Sequence, residues 1–146
     1  MTDRSYWFLG GRSTVLLGAE DTEGRCAVLH HELPAGTESP AHVQPGDDEA
    51  VVVLEGEVEL WLDGERRALG AGEATLVPRG TQHALRVAGG EPARLITVST
   101  PGGHERLVAL GGHPVDEHDE PPALDLERFT RAAEAAGVEI LGPGPF

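Results

Sequence analysis

The stretch that decides the fold runs from residue 36 to residue 83, and two segments carry its pattern: 36–56, GTESPAHVQPGDDEAVVVLEG, and 72–83, GEATLVPRGTQH. Each segment contains a short, mainly apolar run, Ala50–Leu54 in the first and Ala74–Val77 in the second. Glycine, proline and aspartate flank these runs, and such residues are favoured in turns. The pattern therefore predicts short antiparallel strands joined by tight turns.

The same pattern extends on both sides of this stretch, where runs that are apolar or alternating recur about every 10 residues. We predict six strands: Arg25–Leu33, Ala50–Leu54, Val58–Leu62, Ala74–Val77, His83–Val87 and Ala93–Ser99. Between two of them, Asp63-Gly64 supplies the positive φ that a tight hairpin requires. Strands of this length and spacing predict an all-β sandwich or small barrel.

Beyond the predicted strands, the sequence pattern predicts helices and a connector in place of strands. Glu105–Leu110 predicts a short helix, and residues 114–122 form an acidic connector with prolines at both ends. A longer helix should follow, with Asp125 as its N-cap, an apolar face of Leu126, Phe129 and Ala133, and Gly137 as its stop. We expect one domain over residues 1–146, with the barrel core at about 25–100 and the connector and helix at 101–146.

Composition excludes several kinds of chemistry. The formal charge of -14 argues against nucleic acid and anionic membranes as partners. Every basic residue is Arg, so no lysine is present to form a Schiff base or a P-loop. The single Cys26 can form neither an intramolecular disulfide nor a thiolate zinc site. With no run of about 18 apolar residues, we expect a cytoplasmic protein in which histidine and carboxylate hold any metal.

Four residues are candidates for a metal site: His42, Gln44, Glu49 and His83. Alternate residues of a strand share a face, so His42 and Gln44 can point into one cavity, where Glu49 and His83 would join them from neighbouring strands. Two imidazoles and one carboxylate leave coordination positions open, as in catalytic metal sites. On the same faces, Val51, Val53 and Leu85 are expected to make the substrate pocket largely apolar.

These residues resemble the two sequence motifs of the cupins. Eight of ten fixed positions match: Gly36, His42, Glu49 and Gly56 in the first motif, then Gly72, Pro78, Gly80 and His83 in the second. The resemblance implies an all-β, double-stranded β-helix (jelly-roll) barrel that binds one divalent transition metal: Fe, Zn, Mn, Ni or Cu. Gln44 and Val87 stand where the family has His and Asn. Gln44 either ligates the metal, orients a water or substrate, or lines the pocket.

By this resemblance the chain is similar to single-domain relatives of quercetin dioxygenase. The leading hypothesis is therefore a metal-dependent dioxygenase for a small hydroxylated or enolic molecule, aromatic or polyketide-like, with Glu49 as both metal ligand and general base. The alternatives are a metal-dependent polyketide cyclase or isomerase that needs no O2, and a ligand-binding cupin without catalysis. We also expect a homodimer, formed through edge strands or the aromatic segment Tyr6–Phe8.

Overall fold

The computed structural model describes residues 4–146 and consists mainly of β-strands. Within these residues, twelve strands and three α-helices follow the chain in this order: β1 Ser5–Phe8, β2 Gly11–Leu17, α1 Ala19–Thr22, β3 Ala27–Leu33, β4 Ala41–Val43, β5 Asp48–Glu55, β6 Glu57–Leu62, β7 Glu65–Gly70, β8 Ala74–Val77, β9 His83–Ala88, β10 Ala93–Thr100, α2 Glu105–Gly111, β11 His113–Pro114, α3 Leu126–Ala136 and β12 Glu139–Gly142. A short 3-10 turn, Val115–Glu117, follows β11. None of the described helices is long and apolar enough to cross a membrane.

The strands form two antiparallel sheets, which confirms the predicted jelly-roll class. Seven strands are ordered β11-β1-β2-β3-β10-β5-β8, and five are ordered β12-β4-β9-β6-β7. Their inner faces share one apolar core, to which β5 contributes Val53, β6 contributes Leu60, β9 contributes Val87 and β10 contributes Leu95. The two sheets are therefore held together by burial of alternating side chains from both.

All six predicted strands are present, with small shifts at their ends. Six further strands lay outside the prediction: β1, β2, β4, β7, β11 and β12. β7 reads ERRALG and only Leu69 in it is buried, because this strand lies at the edge of its sheet and is solvated on most sides. The single-domain assignment stays a prediction, and its first three residues lie outside the described part of the chain.

The C-terminal helix α3 has the predicted ends but a different buried face. Asp125 caps it by accepting a hydrogen bond from the backbone N–H of Arg128, and Gly137 ends it in the left-handed conformation. Phe129, Ala132 and Ala133 are buried, and Phe129 packs against Phe8 of β1. Leu126, expected on that face, is 68% exposed. It lies in the first turn, at the margin of a buried face centred on Phe129 and Ala132.

The turn before β9 joins the two motif segments. Gly80 adopts φ +81, a value that side-chain-bearing residues rarely adopt, and its N–H donates to the backbone carbonyl of Gln44 at 3.1 Å. The backbone N–H of Asp63 donates to the carbonyl of Gln82 at 2.8 Å. These two bonds fix the chain on either side of Thr81, so that His83 enters β9 directly beside the strand that carries His42.

Candidate metal centre and cavity

A cavity of about 110 Å³ lies between the two sheets, and three of the four predicted metal ligands line it, whereas Gln44 does not. His42, Glu49, His83 and His104 line it, and Ser13, His31 and Thr97 also contribute to its wall. The apolar part of its wall consists of seven residues: Phe8, Leu9, Leu33, Val51, Leu60, Leu85 and Leu95. A wider surface groove of about 520 Å³, next to Leu110 and Arg131, has no histidine among its lining residues.

His42 and His83 are direct cross-strand partners of β4 and β9. Their ring centroids are 4.1 Å apart. In each ring Nδ1–H can donate to the carbonyl two residues earlier, Pro40 for His42 and Thr81 for His83, at 2.9 Å in both cases. These bonds orient both rings and leave Nε2 as the nitrogen with a lone pair, which is how metal-binding histidines are usually held.

Burial keeps His42 in its neutral form. Burial and, to a smaller extent, the neighbouring His83 lower the pKa of His42 to about 4, against opposing effects of the Pro40 carbonyl and of Glu49. A neutral imidazole is the form that binds metal ions, so no proton has to be removed from His42 near pH 7.

Gln44 is buried and points its amide oxygen at His83. Its Nε2 donates to Asp47 Oδ2 at 2.7 Å, which leaves its Oε1 3.2 Å from His83 Nε2. Because the Nδ1–H of a neutral His83 is donated to Thr81, Oε1 and Nε2 then face each other with lone pairs. This contact is favourable only if a proton or another cation lies at His83 Nε2. Burial raises the pKa of the Asp47 carboxyl that holds the amide.

Glu49 of β5 supplies the carboxylate of the site. Burial raises the pKa of Glu49, but four surrounding histidines outweigh it and lower the pKa overall: His104, His83, His42 and His31. The closest of them is His104, whose Nε2 lies 3.7 Å from Glu49 Oε2. Glu49 is therefore ionised at neutral pH although its side chain is almost wholly enclosed.

His104 was absent from the sequence-based site. It precedes α2, shortly after β10, which pairs with the strand that carries Glu49, and its Nδ1 is buried without a hydrogen-bond partner in residues 4–146. The only sequence signal is its position: β10 pairs with β5 so that Ser99 lies opposite Glu49, and a histidine that follows β10 returns to the same end of the barrel.

The donor atoms of these residues suit a metal ion, but their positions do not bring them together around one point. In residues 4–146, no three His, Cys, Asp or Glu side chains converge as a group that could hold a metal ion. His83 is turned toward Gln44 and Glu49 toward His104, so the donors contact one another in two pairs. Their states are nevertheless those a metal requires: an ionised carboxylate, a neutral imidazole with its Nε2 free, and an amide oxygen.

The three predicted pocket residues occupy two environments. Val51 and Leu85 line the cavity, but Val53 is enclosed in the apolar core and does not line it. Val51 and Val53 point to the same face of β5 with only Val52 between them, and the core closes over the strand beyond Val51. His31, which the sequence left without a role, faces inward, and its neighbour His30 lies next to Arg94 on the other face of the strand.

Comparison with known proteins agrees with the fold and the motif positions. The family profile described as the cupin domain matches residues 29–99. The chain belongs to the cupin superfamily. The cupin domain of Schizosaccharomyces pombe Cnp3 superposes with a TM-score of 0.58 at 22% identity, over 62% of this chain and 64% of that one, which shows the shared fold.

Among the relatives of this cupin, one is named for an enzyme activity and another as a polyketide synthase protein. Quercetin 2,3-dioxygenase of Bacillus subtilis (strain 168) is 31% identical over 140 residues, which are 92% of this chain and 41% of that protein. The tetracenomycin polyketide synthase protein TcmJ of Streptomyces glaucescens is 30% identical over 93 residues, 63% of this chain and 62% of that protein. The chain thus spans less than two thirds of the length of either relative.

The second departure of this cupin from the family motif has a structural explanation. Val87, at the position of the family's Asn, is buried in the core between the sheets and does not line the cavity. The replacement therefore adds apolar packing at a position where a polar side chain would need a buried partner.

Proposed function

We propose that this cupin is a metal-dependent enzyme, a dioxygenase that acts on a small hydroxylated or enolic molecule of aromatic or polyketide-like character. The observation that supports it is that His42, His83 and Glu49 all line one internal cavity, with Nδ1 of each imidazole hydrogen-bonded to a backbone carbonyl. Such anchored rings beside an ionised carboxylate are typical of preorganised metal sites.

In this proposal, His42, His83 and Glu49 hold one divalent transition metal, and Gln44 adds its amide oxygen as a fourth donor. The contact between Gln44 Oε1 and His83 Nε2 supports the role of Gln44, because a cation bound to both removes the repulsion of their lone pairs. This mixture of nitrogen and oxygen donors suits Fe, Zn, Mn, Ni or Cu. When bound, the metal would supply Lewis-acid chemistry at a substrate oxygen.

Glu49 is proposed to take the hydroxyl proton of the substrate, as the carboxylate at the cavity wall. Its lowered pKa makes it a weak base, which restricts the substrate to an acidic hydroxyl, such as an enol or a phenol. Val51 and Leu85 would hold the apolar body of the substrate against the site and exclude water.

The size of the cavity narrows the substrate class. An engineered cavity of roughly 150 Å³ holds one benzene molecule, and the cavity here measures about 110 Å³. The part of the substrate that enters it should therefore be about one ring in size.

A second candidate reaction is ring closure or isomerisation without O2. The similarity to TcmJ favours it, because that relative is named as a polyketide synthase protein. The donors and the cavity would serve in the same way, with Glu49 removing a proton next to a carbonyl. The two reactions share the site and differ in whether O2 is consumed.

Oxygen consumption separates these functions. With protein reloaded with each of the five metals, a panel of one-ring enols and phenols should cause O2 uptake that E49Q abolishes and E55Q retains. Glu55 is a suitable control because it is an exposed carboxylate that pairs with Arg94. Product formation at an unchanged rate under nitrogen would support the cyclase instead. Absence of both metal binding and turnover would leave a ligand-binding cupin and contradict the enzymatic proposal.

A further inference from the structure

Three polar residues form a hydrogen-bonded chain across the inner face of the seven-stranded sheet. Ser13 of β2, His31 of β3 and Thr97 of β10 all line the cavity. Ser13 Oγ lies 2.8 Å from His31 Nδ1, and His31 Nε2 lies 3.0 Å from Thr97 Oγ1. In residues 4–146, neither hydroxyl has a hydrogen bond other than the one to His31.

The burial of Ser13 fixes the direction of these bonds. Ser13 is 0% exposed, so its hydroxyl hydrogen has to be donated within the protein, and His31 Nδ1 is the acceptor available to it. Burial lowers the pKa of His31 to about 4, so the ring is neutral near pH 7. A neutral ring that accepts at Nδ1 carries its hydrogen on Nε2 and donates it to Thr97 Oγ1.

The hydroxyl hydrogen of Thr97 is then left without an acceptor. The Ser13 hydroxyl donates to His31 and His31 donates to Thr97, so the Thr97 hydroxyl is left as one unused donor at the cavity. Bonds in such a chain polarise one another and strengthen the terminal donor. On the sheet, Thr97 lies directly opposite Val51, one of the apolar residues of the cavity wall.

We propose that the Thr97 hydroxyl is a specificity-determining donor for a second oxygen of the ligand, oriented by Ser13 and His31. This inference rests on the proposed function, in which a first oxygen of the ligand is bound by the site at His42, His83 and Glu49. Together the Thr97 hydroxyl and that site select a one-ring molecule that carries two oxygens. A molecule with one oxygen leaves the Thr97 hydrogen unpaired in a desolvated site, and that lowers its affinity.

Phenol and the three dihydroxybenzenes are suitable probes, because they have the same ring and differ in the second hydroxyl. Binding is measured by calorimetry under nitrogen. In the wild type we expect at least one dihydroxybenzene to bind about 5 to 10 times more tightly than phenol, the range expected of one hydrogen bond. T97V should reduce that preference to less than about twofold and bind phenol at least as tightly as the wild type does, because no hydroxyl hydrogen is left unpaired; T97S, which keeps the hydroxyl, should restore the preference.

Two further variants separate ligand binding from a structural role. S13A should weaken the preference, since His31 can then adopt either tautomer, whereas S5A should leave it unchanged. Ser5 is a matched control: it is a buried serine, bonded to Thr14 at 2.7 Å, that does not line the cavity. The inference is overturned if the wild type shows no preference for any dihydroxybenzene, or if T97V lowers stability and leaves the preference intact.

The metal content of the same samples shows which of the two proposals has failed, the Thr97 donor or the metal site. If the wild type binds metal but prefers no dihydroxybenzene, the Thr97 inference fails and the proposed metal site stands. If the preference is present and is lost in T97V while no metal binds, the inference about Thr97 stands and the proposed metal function fails.

Discussion

His42 and His83 lie directly opposite each other on β4 and β9, with ring centroids 4.1 Å apart and each Nδ1 within 2.9 Å of the carbonyl two residues earlier in its own strand. The pairing of two strands thus places two imidazoles on one wall of the cavity, and the local backbone sets the orientation of both. Neither ring depends on the other for its anchor, so either can be removed without releasing its neighbour.

Replacing Gln44 with histidine should strengthen metal binding. An imidazole is a better donor than an amide oxygen for most transition metals, so Q44H should raise the affinity for Zn or Ni by roughly 10-fold or more. Competition with a chelating dye measures this affinity. Q44L, which has no donor, should weaken binding. Equal affinities in the wild type and both variants would show that Gln44 does not touch the metal.

Stability should decrease in mild acid because of His31. Its pKa in the folded protein is about 4, below the value of about 6.5 for a free histidine. The unfolded chain therefore binds this proton more readily, so the stabilisation present above about pH 6.5 is lost as the pH falls toward 4. At about 1.36 kcal/mol per pKa unit, the loss from this residue is about 3 kcal/mol at most.

Urea unfolding of the metal-free protein between pH 7 and pH 4.5 tests this expectation. H31Q removes the titrating group and should flatten the dependence of the unfolding free energy on pH. Part of the dependence should persist, because the pKa of His42 is also lowered to about 4. An identical pH dependence in H31Q and the wild type would show that His31 is not held neutral by its burial.

Much of the fold and of the site could be predicted because it depends on local pattern. The turn residues and apolar runs predicted the central strands, and His42, Glu49 and His83, which the sequence placed at one cavity, all line it. Val53 shows where such reasoning ends, because alternation along β5 gives the face of a residue but not whether the core or the cavity lies against it.

The remaining features depend on contacts between distant parts of the chain. His104 lies in no strand, and it reaches Glu49 through the path of the chain after β10. The role of His31 depends on its partners Ser13 and Thr97, which come from two other strands. Strands such as β7 are held at an edge by pairing with β6 and lack an apolar pattern of their own.

The homodimer expected from the sequence remains a prediction, and the structure narrows where it would form. Tyr6 and Phe8 pack within their own chain, with Phe8 6.0 Å from Phe129 between ring centroids, so the edge strands are the better candidates. β8 ends the seven-stranded sheet, and its Leu76 is 56% exposed. We expect light scattering to give a dimeric mass at micromolar concentration, and L76E to give a monomer.

The control for this experiment is L124E, because Leu124 is exposed outside both sheets and should tolerate the charge. A monomeric mass for the wild type would contradict the predicted dimer. A dimer in both the wild type and L76E would show that another surface forms the interface.

The most direct test of the account is the metal content of protein purified without a histidine tag and dialysed against each divalent metal. The wild type should retain about one metal per chain, and H42A and H83A should lose most of it. H30A should keep the wild-type content, because His30 lies next to Arg94 and does not line the cavity. Equal metal content in the wild type, H42A and H83A would contradict the proposed site.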